Sequence, residues 1–251
     1  MDIDIESLER ATLDAVAPDA VGTLPGWLLP FDSTTVGRAI SAVPLHHGAP
    51  GPDPIPDIEA RYAGRGLKTQ FRVADVAGLA GLHQGLLGHG YTPQQPTLTL
   101  AGTVHTWPGV APGWSVQLST QPTDAWASVY LSGDFDPVDG ANRVRALSRS
   151  QCLVYACLVD DAGSAIAAGT AAFSQGWASL HGMRTVTHAR GKGCASALIA
   201  ALGQVAKERN VERCFLQVEE GNAPAISLYR SLGFQTAWLY HYWRKPKQAA
   251  P

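Results

Sequence analysis

Arg190-Gly191-Lys192-Gly193-Cys194-Ala195 runs straight into an apolar helical stretch, Ala195 to Val205, and this segment decides how the chain is read. Glycines at 191 and 193 let the backbone approach a ligand closely, and Ala195 keeps the first helical turn small. The first N–H groups of a helix have no partner inside it, and the peptide dipoles add roughly half a positive charge there. With Arg190 and Lys192 beside them, these donors form a turn suited to a pyrophosphate. A second reading of such a turn stands beside the first, because glycine also lets a helix pack closely on a sheet. The segment is not a P-loop, since no Gly-Lys-Ser/Thr follows a four-residue gap. It is not the dinucleotide pattern Gly-x-Gly-x-x-Gly either, because Ser196 stands where the third glycine belongs.

Downstream, Phe215-Leu216-Gln217-Val218 reads as a buried strand closed by the turn Glu219-Glu220-Gly221. Asn222 then caps a helix whose apolar face is Ala225, Ile226, Leu228, Tyr229 and Leu232, and Gly233 ends it. The full pattern is Asn222-x-x-Ala225-x-x-Leu228-Tyr229-x-x-x-Gly233-Phe234. With both motifs in this order, the chain resembles the GCN5-related N-acetyltransferase (GNAT) superfamily. The resemblance implies that the Arg190 to Ala195 turn holds the pyrophosphate of coenzyme A and that the Asn222 helix flanks the thioester. It also implies a mixed α/β (α+β) chain, with a GNAT acyltransferase fold in the C-terminal half. Thr185, Thr187, Arg190, Gly191, Lys192, Gly193, Cys194, Ala195, Asn222, Ala225 and Tyr229 are the residues expected to meet acetyl-CoA.

Composition fits a globular enzyme. The chain has 251 residues, 45% of them hydrophobic, enough for one sizeable core or two small ones. A net charge of −2 argues against nucleic acid as a principal partner. No apolar run approaches the roughly 20 residues of a membrane span. The acidic start, Met1-Asp2-Ile3-Asp4-Ile5-Glu6, lacks the basic character of a secretory signal, so a cytoplasmic location is expected. Cys152, Cys157, Cys194 and Cys214 have neither zinc-finger nor Cys-x-x-Cys spacing and are expected to be reduced and structural. His46-His47 lies in a proline-rich loop, and no metal is assigned.

In the C-terminal half the pattern predicts a strand over Ser115 to Leu118 and helical segments over Pro122 to Tyr130 and Pro137 to Arg149. Strands follow over Cys152 to Val159, Ile166 to Phe173 and Trp177 to Thr185, with a final pair of strands around Thr236 to Trp243. Trp107-Pro108-Gly109-Val110-Ala111-Pro112-Gly113-Trp114 reads as a connection, so two domains are expected, 1–112 and 113–251. The first of these shows helices at Ile5 to Val16, Pro56 to Tyr62 and Val76 to His89. It also shows two strands within Trp27 to Val43 and further strands at Thr69 to Val73 and Thr97 to Ala101.

That order echoes the second half. Arg61 to Val73 matches Ala206 to Val218 in pattern, and each is followed by a helix ending in Gly-aromatic, Gly90-Tyr91 and Gly233-Phe234, an offset of 233 − 90 = 143. The N-terminal stretch is therefore expected to be a degenerate GNAT-like copy. Its counterpart to the pyrophosphate turn, Pro44 to Pro52, is proline-rich and short of backbone donors, so it is expected to bind no coenzyme A.

Acetyl transfer from a thioester to an amine requires a neutral amine, a stabilised oxyanion and a protonated leaving thiolate. The resemblance implies that Tyr229 is the general acid. A phenol near pKa 10 carries its proton at neutral pH and can serve as the donor, though it is a weaker acid than a thiol near 8.5 and gives the proton up uphill by roughly 2 kcal/mol. The base is less clearly marked. Strand Trp177 to Thr187 holds no carboxylate, and Leu216-Gln217-Val218 places glutamine where relatives often carry glutamate. His181 and Glu219 remain as candidates, beside direct attack with the proton lost through water. Trp238, Tyr240 and Tyr242 alternate near the C-terminus as candidate walls of an acceptor pocket.

The expected activity is acetyl-CoA-dependent N-acetylation of a primary amine on a small molecule, by a monomer or homodimer. Two alternatives stay open: a coenzyme A-binding regulatory module without turnover, and a protein or peptide N-terminal acetyltransferase.

Overall fold

The computed structural model describes residues 3–48, 53–107 and 115–246. It begins with helix α1 (Ile5–Val16), whose first turn is closed by the Asp4 carboxylate accepting from the Ser7 N–H. Strands β1 (Ala20–Leu24) and β2 (Trp27–Phe31), a single turn α2 (Gly37–Ile40) and β3 (Val43–Pro44) follow. Next come α3 (Ile55–Ala63), β4 (Phe71–Ala74), α4 (Ala80–Gly88) and the long β5 (Thr92–Thr103). The second half contains β6 (Val116–Ser119), α5 (Asp124–Tyr130), α6 (Pro137–Arg149), β7 (Leu153–Val159), β8 (Ala165–Ser174) and β9 (Trp177–Thr185). It closes with α7 (Cys194–Glu208), β10 (Arg213–Glu219), α8 (Ala223–Ser231) and β11 (Gln235–Arg244).

Eight strands form one sheet in the order β4-β11-β5-β10-β9-β8-β7-β6, and β1-β2-β3 form a second. Every ladder is antiparallel except β9 with β10; a single parallel bridge, Ala42 to Phe71, brings the end of the small sheet to β4. The central strands are apolar on both sides because both faces of the large sheet are covered. Leu198, Ile199 and Leu202 of α7 and Trp126 and Tyr130 of α5 share one buried cluster with β7 and β8. A second cluster joins Leu8 and Ala11 of α1 and Trp27, Phe71 and Tyr91 to Trp177, Phe215, Trp238 and Tyr240 of the second half. A buried ion pair from Glu9 on α1 to Arg72 on β4 lies beside that cluster.

The expected final pair of strands is instead one strand. No turn residues interrupt 235–244, so the chain continues straight as β11, and its partners come from the first half. Strand β5 lies between β10 and β11, while β4 takes the outer edge of β11. The expected boundary between 112 and 113 and the connecting segment 108–114 lie outside the described residues. The large sheet nonetheless draws β4 and β5 from one side of that boundary and its other six strands from the other.

The exchange is symmetrical. The units β4-α4-β5 and β10-α8-β11 correspond, since β5 starts at Thr92 and β11 at Gln235, and 235 − 92 = 143. Register obeys the same offset: Thr92 faces Arg244 and Gln235 faces Ala101, and 244 − 101 = 143. Thr97 faces Tyr240, with 240 − 97 = 143, so this pair sits on the local two-fold axis. The bridge Ala42 to Phe71 likewise repeats the parallel pairing of β9 with β10.

Candidate active site

Strands β9 and β10 run side by side only as far as the pair Leu180–Leu216. Beyond it they part, and the cause lies in β9. The β8–β9 register slips between Ala168 and Thr170, and Gly182 takes φ +64° there, a conformation that glycine tolerates. The Tyr130 hydroxyl donates to the Gly182 carbonyl at 2.6 Å and holds the bend. Facing strand edges without a shared ladder can receive an extended, amide-bearing ligand as another strand would be received. A cavity of about 570 Å³ occupies the gap.

Leu180 to Arg184 and Leu216 to Glu219 form two of its walls, and Asn222, Ala225 and Tyr229 of α8 form a third. Asn222 caps α8 through its side chain, accepting from the Ala225 N–H at 3.3 Å. Tyr229 is almost fully buried against Phe234, and burial pushes its phenol up to about 12. His181 lies in the buried wall. One ring nitrogen, Nε2, is 2.8 Å from the Ser179 hydroxyl, while Nδ1 has no partner among the described residues. Burial first, and the positive charge of Arg38 second, hold this imidazole neutral, well below the ordinary histidine range. Glu219 stands exposed at the end of β10 and accepts from the Gln95 amide at 2.8 Å. Gln95 reaches it from a bulge in β5, where its φ is +53°.

Beyond the end of β9, the turn at 190–193 leads into α7. Gly191 and Gly193 have φ +74° and +85°, and a methyl group built on either would meet nothing within 4 Å. Among the described residues no side chain caps α7, so its leading amides have no side-chain partner there. Arg190 Nε donates to the Thr185 carbonyl at 3.2 Å, and the Cys194 thiol reaches the Ala189 carbonyl. The Thr187 amide donates to Asp134 at 2.7 Å and is therefore already engaged. This bare, glycine-lined helix start fits an anionic group. Thr185 and the turn itself lie outside the cavity lining, at the end of the strand that forms its wall.

Tyr240 and Tyr242 line the cavity as expected, whereas Trp238 does not; it packs edge-on against His47 instead. Several lining residues carry no sequence motif. Thr35 to Arg38 come from the first half and close one side, and the ring of Tyr242 packs so closely on Gly37 that a Cβ there would approach it at 2.7 Å. Arg38 Nη1 donates to Gln217 Oε1 at 3.1 Å. Arg143 and Arg184 both bind Asp139, at 2.7 and 3.0 Å, and Arg244 binds Gln70 at 2.8 Å. The four cysteines are unpaired. No helix among the described residues is long and apolar enough to cross a membrane.

Residues 3–243 match the family model described as probable histone acetyltransferase Rv0428c C-terminal. Over 82 residues the chain is 37% identical to the uncharacterized N-acetyltransferase YobR of Bacillus subtilis (strain 168), an alignment covering 33% of each chain. A GCN5-related N-acetyltransferase from Kribbella flavida has a similar fold, with a TM-score of 0.73 at 18% identity over 98% of both chains. A tandem GNAT protein from the clavulanic acid biosynthesis pathway aligns with a TM-score of 0.60 at 15% identity, over 96% of this chain and 95% of that one.

Proposed function

The chain belongs to the Rv0428c C-terminal acetyltransferase family, within the GNAT superfamily, and from that premise we propose that it transfers acetyl from acetyl-CoA to the primary amine of a small molecule. The observation that carries this reading is the parting of β9 from β10, which opens a cavity bounded by Tyr229 and leads toward an uncapped helix start. The turn at Arg190 to Ala195 would hold the diphosphate, with amides and two basic side chains as donors. Acetyl-CoA supplies the activated thioester. Tyr229 is protonated at physiological pH, as any phenol is, and would supply the proton that the departing sulfur requires.

The acceptor must lose a proton before it attacks. An alkylammonium near pKa 10.4 costs roughly 4 to 5 kcal/mol to neutralise at pH 7. Positive neighbours lower that cost, since like charge disfavours the ammonium form, and four arginines line the cavity. Glu219 is the carboxylate placed to take the proton, at the rim and steadied by Gln95. His181 is held neutral with one nitrogen engaged by Ser179, and its part is to shape the wall.

The test is thiol release from acetyl-CoA with a panel of small amines and lysine-bearing or N-terminal peptides. Small amines are expected to exceed peptides in kcat/KM. Tyr229→Phe is expected to keep acetyl-CoA affinity and to lose about 10²-fold in kcat, the scale of a missing general acid. An unaltered kcat in that variant makes Tyr229 a packing residue, and peptide preference overturns the small-molecule reading.

A further inference from the structure

Six ionisable side chains bearing formal charge line the cavity, and they do not balance. Arg143 and Arg184 share the single carboxylate of Asp139, while Arg244 rests on neutral amides of Gln70 and Gln95 and on the Tyr242 ring. Glu219 is exposed at the rim. Arg38 is the exception that points to a ligand. Among the described residues no carboxylate lies within 4.0 Å of it, and its side chain makes one hydrogen bond, from Nη1 to the neutral amide of Gln217. Its Nε is buried without a partner among the described residues. The side chain as a whole is only half-buried, so its charge keeps part of its water, yet it meets no anion of the described residues, and a partly desolvated charge gains from one. With Nη1 occupied, the edge left over is Nε with Nη2, two parallel donors in one plane. That edge matches the two oxygens of a carboxylate bidentately.

We propose that the acceptor is an amine that also carries a carboxylate, and that Arg38 is the residue that binds this carboxylate. This rests on the acetyltransferase reading above and narrows its substrate class. The arrangement reconciles two demands on one cavity. Arginines that make the amine easier to deprotonate also repel an ammonium ion on entry, and a carboxylate on the same molecule removes that repulsion. A lysine side chain on a basic peptide brings no such compensation. Such a contact discriminates, because a substrate lacking the partner leaves the buried Nε of Arg38 unmatched.

Purified full-length protein is assayed with four acceptors on one carbon frame: an ω-amino carboxylate, its primary amide, the matching aminoalkylphosphonate and the plain alkylamine. Binding of the same four compounds, with coenzyme A present, is measured by calorimetry. In the wild type the carboxylate is expected to exceed the amide about 10²-fold in kcat/KM. In Arg38→Gln that ratio is expected to collapse toward one. The ratio is taken within one preparation, so it does not depend on how much protein is folded. Arg38→Lys, which keeps the charge but not the fork, is expected to recover only part of it.

Preference for the amide, the alkylamine or a basic peptide in the wild type overturns the inference, and so does preference for the phosphonate. A ratio unmoved in Arg38→Gln also overturns it, as does a variant whose only defect is weakened coenzyme A binding. Arg38-dependent binding of the carboxylate without turnover supports the inference while refuting acetyl transfer. Turnover of the alkylamine in preference to the amino carboxylate does the reverse.

Discussion

Between β9 and α7 the chain leaves a helix start bare; between β3 and α3, at the matching place in the other copy, it covers one with its own carboxylate. The Ile55 N–H at the head of α3 donates to Asp53 Oδ1 at 3.0 Å. An anion is built in where the second copy leaves room for one. Nearby, the space at the start of α4 is taken by the chain itself. The His47 carbonyl lies against Gly78, where a Cβ would come to 2.1 Å from it, and the His47 ring packs on Trp238. Residues 49–52 of this proline-rich turn lie outside those described. The two corresponding units thus differ in whether a carboxylate of the chain itself stands at the helix start, a difference of chemistry rather than of architecture. Strands β4 and β5 complete the large sheet and are held by its pairing, whereas no strand pairing depends on an anion at the head of α3.

The largest expected effect breaks the open copy. Gly193→Asp places a carboxylate where the phosphates are proposed to sit, and Asp tolerates the left-handed region better than most residues. Loss of acetyl-CoA affinity is expected to exceed about 10²-fold, from charge repulsion at a short distance in a partly desolvated site. Gly193→Asn carries nearly the same backbone cost without the charge and is expected to lose much less. Calorimetric titration of both variants decides the matter; equal, small losses would show that the turn only packs a helix on a sheet.

A second prediction uses the one feature both copies share near their slots, a histidine kept neutral. Burial lowers His181 well below its ordinary range, and burial followed by the Arg72 charge lowers His47 to about 4. In the unfolded chain both take up a proton near pH 6.5. The unfolded state therefore binds more protons below that pH, and folding stability declines as pH falls through about 6.5. For His181 the slope is at most about 1.4 kcal/mol per pH unit, the value for one proton. His47, less deeply buried, contributes in the same direction between about 6.5 and 4. Urea denaturation of wild type, His47→Gln and His181→Gln between about pH 5 and 7.5 is expected to give flatter profiles for both variants. Parallel profiles would show that neither imidazole is held neutral by the fold.

How far the sequence announced this site depends on how local each signal is. Helix α6 and strand β9 follow the expected bounds, and Asn222 caps α8, because capping and alternation are written within a few residues. The glycine turn was legible for the same reason. Strand exchange between the copies was not, since pairing partners such as Thr92 and Arg244 are joined by register alone and an alternating strand does not name its neighbour. Arg38 left no trace for a similar reason. It sits alone in a short turn, and its partner Gln217 is 179 residues away. Gln95 depends on a bulge that only the pairing with β11 creates. Residues that stand in a local motif can be singled out from the sequence, and lining residues such as Arg38 and Gln95, brought in by long-range packing, cannot.

The smallest expected effect sharpens the closed copy. Asp53→Ala removes the carboxylate from the head of α3 and leaves the Ile55 amide without that partner. Losing one half-exposed hydrogen bond of this kind costs roughly 1 kcal/mol, and the exposed contact from His89 to the same carboxylate adds little. The variant is therefore expected to fold and to unfold at slightly lower denaturant. Baring the helix start alone does not create a second coenzyme A site, because His47 still fills the space beside α4 and no basic side chain replaces Arg190 or Lys192 there. Titration is expected to give one coenzyme A per chain in both wild type and variant. Two per chain in the wild type would mean that the built-in carboxylate does not close the copy. Two in the variant alone would mean that Asp53 is the whole difference between the halves, and the filled slot would then carry no weight.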